Sequence, residues 1–216
     1  MSNKSIYDIL ISAGMTKEGA CAVLGNMAAE SLMKPTNVQD GFGVNDEAYT
    51  AEIDSGRRNF IDGIGYGLCQ WTSGDRKANL LAFAKMKGTS VGDGDMQAEF
   101  CVAELATSYG ELLDKLCHSH DLFQLTQAVC VEYERPAHNN VGTRYEYAQK
   151  AMDYFGEGMY EDGDIAAPDA CPLDGPCEKE PDVSGAFALL AEYIQTAEFR
   201  QSFLNYIEGR KKHECT

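Results

Sequence analysis

Glu30 stands on the flank of an apolar helical stripe and at that helix's end, a position from which a carboxyl can work as an acid. Thr16 can cap a helix over Thr16–Ser31, in which Ala20, Val23, Leu24 and Met27 recur at helical spacing and Glu30 follows three residues beyond Met27. Lys34-Pro35 then ends the helix, because the residue before a proline is pushed out of the helical region. A carboxyl half-withdrawn from water, beside the partial negative charge of a helix C-terminus, prefers to keep its proton, which is what a general acid needs near neutral pH. A second carboxylate would come from the residues that follow, which offer Asp46, Glu47, Glu52, Asp54 and Asp62. Asp54 is preferred because it falls in Ile53-Asp-Ser-Gly56, next to a tight turn. Tyr66, Gln70 and Trp71 sit just before a helix, where flat apolar faces with polar edges and an amide can line a cleft. Trp71, the only tryptophan, can equally anchor this region onto the core. Arg76 can hold a carboxylate in place, Asp54 or Glu30 included, or form an exposed ion pair, the commoner outcome.

These residues need a scaffold, and most of residues 1–156 reads as five or six helices. Ser5–Ala13 ends at Gly14, and the Glu30 helix follows at once. Residues 32–70 differ: Gly41-Phe-Gly43, Asn45-Asp46, Ser55-Gly56, Asp62-Gly63 and Gly65-Tyr-Gly67 mark a long turn-rich excursion, with room for a short hairpin. Loops this long inside a compact domain are usually functional. Ser73 or Asp75 caps a helix through Lys85, Asp95 caps another carrying Met96, Phe100, Ala103 and Leu105, and Glu111–His118 continues after Gly110. Asp121 caps a helix through Glu134 that Arg135-Pro136 terminates, and Thr143–Phe155 completes the set. The expected fold class is α+β, mostly α: a helical domain with an irregular or short-β lobe inserted after its second helix, and a cleft between lobe and helices.

Three units are expected: a domain over 1–156, an acidic linker over 157–183 and a C-terminal amphipathic helix over 184–216. The last carries Phe187, Leu190, Ala191, Ile194, Phe203, Leu204 and Ile207, which need a partner surface, whether this chain's own domain, another copy or another protein. Half of the net charge of −16 falls between Glu157 and Asp182, where nine acids face Lys179 alone. Such acidity argues against nucleic-acid binding, which needs clustered Lys and Arg. No apolar run is long enough to span a membrane, and the N-terminus, with an Asp inside its only apolar stretch, is not a secretory signal. If the protein acts outside a membrane, something else delivers it. Of eight cysteines, Cys21, Cys69, Cys101, Cys117 and Cys130 sit within apolar helical patterns and read as reduced core residues. Cys171 and Cys177 could close a small loop. With His213 and Cys215 they match no usual zinc spacing, so no metal is expected.

The residues now support a resemblance. Gly19-Ala-Cys-Ala-Val-Leu-Gly-Asn-Met-Ala-Ala-Glu-Ser31, Tyr49-Thr-Ala-Glu-Ile-Asp-Ser-Gly56 and Gly65-Tyr-Gly-Leu-Cys-Gln-Trp-Thr72 with Arg76-Lys77 are similar to the phage tail-tip lysozyme family. Met96-Gln97, Glu104-Leu105, Glu134-Arg-Pro136, Arg144 and Tyr147-Ala148 extend the match in order over roughly residues 5–155. The resemblance implies a lysozyme-like fold and cleavage of the β-1,4 glycan of peptidoglycan, with Glu30 at the position of the family's catalytic glutamate. Glycoside cleavage needs a proton on the leaving oxygen and stabilisation of a positively charged sugar, usually by two flanking carboxylates. Tyr66, Gln70 and Trp71 would then suit N-acetyl sugars, and carboxylates with water need no cofactor. The location implied is a virion tail, or a host cytoplasm from which the enzyme reaches the wall, and the C-terminal helix would serve self-association or a tail partner.

Two other readings compete. Tyr66-Gly-Leu-Cys-Gln-Trp71 is superficially similar to the Gly-Gln-Cys-Thr-Trp signature of CHAP amidases and endopeptidases, with Cys69 as nucleophile and His118, His120 or His138 as base. That fold should show strands after its cysteine helix, whereas helices follow here. The other is a non-catalytic glycan-binding or phage tail structural module, because fold alone never proves activity.

Overall fold

A computed structural model describes residues 3–156. The linker and C-terminal helix expected from the sequence lie outside the described residues, as do Cys171, Cys177, His213 and Cys215. The elements run α1 (Asn3–Ser12), α2 (Lys17–Ser31), α3 (Asp46–Asp54), α4 (Gly74–Lys87), α5 (Gly94–Ser108), α6 (Gly110–His118), α7 (Leu122–Ala128), a π-helical segment (Val129–Glu134) and α8 (Val141–Gly156).

Helix α2 is the axle of the domain. Thr16 caps it as expected, its side chain accepting from the Gly19 amide at 3.0 Å. Every residue from Gly19 to Met27 is buried, so the helix is wrapped on all sides and packs against α1, α6, α7 and α8. Small residues allow this. A Cβ on Gly19 would lie 2.1 Å from the Leu116 carbonyl oxygen, and one on Gly25 would lie 2.6 Å from that of Arg144. The two glycines therefore set how closely α6 and α8 approach. Glu30 lies where α2 leaves the core, one residue before buried Ser31, whose hydroxyl donates to the carbonyls of Met27 (3.0 Å) and Leu68 (3.1 Å).

The excursion after α2 is irregular, and its β character is not seen. Among the described residues its only β pairing is two isolated antiparallel bridges, Val38 with Tyr66 and Tyr66 with Trp71. In place of a hairpin it carries α3, capped by Asn45, whose side chain accepts from the Ala48 amide, and started by Asp46 and Glu47, which suit a helix N-terminus. Tyr49, Thr50 and Ile53 form its buried face. With no sheet to pair its backbone, the lobe uses buried side chains. Fully buried Gln97 accepts from the Leu68 amide and donates to the carbonyls of Pro35 and Val91. Fully buried Lys77 donates to Tyr49, to Asp62 at 2.6 Å and to the Ile64 carbonyl, 4.4 Å from the Phe60 ring centroid.

Two further boundaries differ from the sequence reading. Asp93 caps α5 in place of Asp95. The helix expected from Asp121 to Glu134 changes to π-helical pitch at Val129 and ends at Arg135 with φ +52°.

Candidate active site

The cleft between lobe and helices is a cavity of about 940 Å³. The lobe side contributes Asn37, Gln39, Asp40, Gly65, Cys69, Gln70, Thr72 and Ser73, and the helical side Glu30, Tyr109, Tyr133, Glu134, Arg135 and Pro136, with Asp75 and Arg76 of α4 between.

Glu30 is in this cleft, but it is not the solitary carboxyl that its sequence position suggests. Its Oε1 accepts from Arg144 Nη2 at 2.5 Å. Arg144 comes from α8, which the absence of a side chain at Gly25 brings against α2. Its side chain is 6% exposed and donates through Nη1 to Asn26 Oδ1 at 3.1 Å. Asn26 is anchored in turn to the carbonyls of Ala22 and Thr126. Three buried links thus fix one oxygen of Glu30, whose side chain remains 17% exposed toward the cleft.

Asp40, Asp75 and Glu134 line the cavity with Glu30; of these Glu134 comes, like Glu30, from a helix end, and the sequence reading gave it no role. It ends the π-helical segment, as Glu30 stands in the last turn of α2, and both ends close through a non-glycine residue of positive φ, Arg135 at +52° and Leu32 at +51°. Burial first, and the charge of Glu30 second, push its carboxyl well above the usual carboxylate range. Among the described residues no hydrogen bond reaches this carboxyl. Glu134-Arg-Pro136 repeats the logic of Glu30 ahead of Lys34-Pro35, a carboxyl at a helix end before a proline, and that was the signal available in the sequence.

The other expected site residues divide. Gln70 and Arg76 line the cleft. Gln70 has φ +46° and spends its amide on the carbonyls of Asn37 and Gly67. Arg76 holds neither Asp54 nor Glu30 but makes a bidentate pair with Glu104, 2.8 Å to each oxygen, and its guanidinium carbon sits 4.6 Å from the Tyr133 ring centroid. Tyr66 and Trp71 are fully buried and do not line the cavity. The Tyr66 hydroxyl pairs with Thr50 at 2.7 Å, while Trp71 packs edge-on against Phe100 and donates to Glu104 at 2.8 Å. The anchoring role considered for Trp71 is the one observed. Their polar edges find partners inside the protein, which leaves none to offer a sugar.

Asp54 is outside the cleft. It is exposed, and it accepts from Ser90 Oγ (2.6 Å) and the Val91 amide (2.9 Å), tying α3 to the turn before α5. Asp46 is engaged by Lys34, Glu52 by Arg58 and Asp62 by Lys77. These four carboxylates therefore brace the lobe, while Asp40 is the lobe carboxylate that lines the cleft.

Cys69 does line the cavity, but it is 3% exposed, and burial pushes its thiol well up, the reverse of an activated nucleophile. Among the described residues no histidine lines the cavity: His118 pairs with Asp114 and His120 with Glu18.

A mostly helical domain with an irregular lobe and a groove between them is the setting in which the family comparison is read. The model described as phage tail lysozyme matches residues 2–155. The chain belongs to the phage tail lysozyme family. Membership makes it a lysozyme-like peptidoglycan hydrolase in general type, and fits association with a virion tail. Glu30 and Arg144, joined across α2 and α8, both fall within the matched span. Among the described residues no helix is long and apolar enough to cross a membrane.

Proposed function

We infer that this protein hydrolyses the β-1,4 glycosidic bond between N-acetyl amino sugars of peptidoglycan, with Glu30 as the general acid. The observation that carries the reading is the placement of Glu30: an anchored carboxyl at the end of a buried helix, on the wall of a groove large enough for sugar rings. Glu30 protonates the bridging oxygen as the bond to the anomeric carbon breaks, and negative charge in the cleft stabilises the positive sugar that forms. Asn37 and Gln39 supply amide groups on the lobe wall that suit N-acetyl and hydroxyl substituents, while Gln70 shapes that wall by holding the Asn37 and Gly67 carbonyls.

Digestion of purified peptidoglycan tests this. The expected products are new reducing sugar ends, with mass spectrometry of the fragments separating a muramidase from a glucosaminidase. Glu30→Gln keeps the side-chain shape but has no proton to give, so it should retain binding to the wall and lose turnover. New amino groups would instead establish a cysteine amidase or endopeptidase, and sedimentation with the wall without cleavage a binding module. Full lysis by Glu30→Gln would remove the assignment.

A further inference from the structure

We propose that Glu134 is the working partner of Glu30: the two carboxyls hold one proton between them, and Glu134 stores it until Glu30 passes it to the sugar bridge. This rests on the reading of Glu30 given above and adds to it the source of the proton.

The placement of the two side chains argues for such a pair. They come from different helices, each at the terminal turn, and line one cavity. Their surroundings are unequal. Glu30 receives a hydrogen bond from the Arg144 guanidinium, which fixes one of its oxygens. Glu134 has no such bond among the described residues and shares its stretch of the cavity wall with Cys69 and Tyr133, while Arg76, the other cation near it, is committed to Glu104. A half-buried carboxyl without a donor, facing an anion, keeps its proton, and both burial and Glu30 act in that direction. Two carboxyls whose surroundings separate them in this way are how one fold holds an acid and an anion together near neutral pH. The change to π-helical pitch at Val129 alters the direction from which Glu134 enters the cleft, and such segments recur at functional sites.

The proton account closes. The Glu134 proton crosses to a Glu30 oxygen through a cleft water, and Glu30 delivers it to the glycosidic oxygen, which departs with the electron pair of the broken bond. Two carboxylates then face the positive sugar. A water oxygen adds to the anomeric carbon, and the proton it releases returns to the pair. Glu134 is thus a positioning residue for charge: it acts on the substrate through Glu30.

The test is the pH profile of reducing-end release from purified peptidoglycan by the full chain and by Glu134→Gln, between about pH 4 and 9. The variant should fold and should keep activity at low pH, where Glu30 takes its proton from solvent. Its alkaline limb should move down by at least about one pH unit, so that activity at pH 7–8 falls about tenfold or more. Glu134→Asp, which keeps a titrating group, should recover part of that limb. A uniform loss with an unmoved profile, or no loss, would overturn the proposal, since a merely structural residue does not move the limb. Carbon-13 carboxyl titration of the unmodified protein gives a second check that does not depend on a variant folding. Glu134 should titrate above the ordinary carboxylate range and in step with Glu30, and an independent, ordinary titration would defeat the pairing. Activity surviving in Glu30→Gln would show instead that the underlying reading is at fault.

Discussion

Two carboxylates flank Tyr133, Glu104 behind the wall of the groove and Glu134 on it, and they are treated in opposite ways. Glu104 accepts two hydrogen bonds from Arg76, one from Trp71 and one from Tyr133, and only 11% of its side chain is exposed. Glu134 follows Tyr133 directly in the chain and is given no donor among the described residues. A carboxylate so fully hydrogen-bonded is held in one place by its donors, while an unsatisfied buried one is costly to ionise. The first arrangement holds the lobe on the helices through Trp71. The second leaves a group free to carry a proton. The same residue type serves structure or chemistry according to the donors provided.

The sharpest way to break this contrast is to remove one carboxylate of each kind. Glu30→Gln should lower the rate of glycan cleavage by about 10²–10⁴-fold, the usual worth of a general acid, with the circular dichroism spectrum unchanged. Glu104→Ala should do the reverse. It strands Arg76, the Trp71 indole and the Tyr133 hydroxyl, and breaking such a buried pair costs about 3–5 kcal/mol. Denaturant unfolding should show that loss, while cleavage per folded molecule changes by less than about tenfold. A Glu104 variant that is stable but inactive would move the chemistry to that residue.

A smaller effect is expected at Gly25, whose role is to let α8 reach α2. Gly25→Ala inserts a methyl 2.6 Å from the Arg144 carbonyl oxygen and 2.7 Å from the Ala148 Cβ, both on a packed helix. Overpacking of this kind costs about 1–3 kcal/mol. The displaced Arg144 should also loosen its bond to Glu30, so that activity falls along with stability. Full activity would show that the Arg144 contact does not matter to the site.

Stability against pH sharpens the comparison further. The folded state raises the Glu134 carboxyl above the usual carboxylate range, so the native protein binds that proton more tightly than the unfolded chain. Its contribution is complete below the ordinary carboxylate value and is lost as pH rises through the folded value. Unfolding free energy should therefore decline from mildly acid to alkaline pH, and Glu134→Gln should flatten that decline. An unchanged slope in the variant would mean that Glu134 ionises in the fold as it does in the open chain.

How far these roles were legible in the sequence depended on the range of the interactions. The Thr16 cap, the stop at Lys34-Pro35 and the position of Glu30 are local patterns, and they were readable. The pairing of Glu30 with Arg144 spans 114 positions and depends on a missing Cβ at Gly25, which no periodicity reports. Tyr66 and Trp71 looked like sugar platforms because aromatic faces with polar edges suit both a groove and a core. Only Thr50 and Glu104, brought from other elements, show that those edges are used inside. Helix α3 was missed because glycine and asparagine flank it closely, although its cap and acidic first turn were present to be read.

The smallest effect is expected at Asp54, which the motif Ile53-Asp-Ser-Gly56 had put forward as the second acid. Its exposed carboxylate serves the Ser90 hydroxyl and the Val91 amide, away from the groove. Asp54→Asn keeps an oxygen acceptor and removes a charge at a solvated site, so stability should change by less than about 1 kcal/mol. Reducing-end release should be unaltered across the pH range. A loss approaching that of Glu30→Gln would return the second carboxylate to the lobe and leave Glu134 without its assigned part.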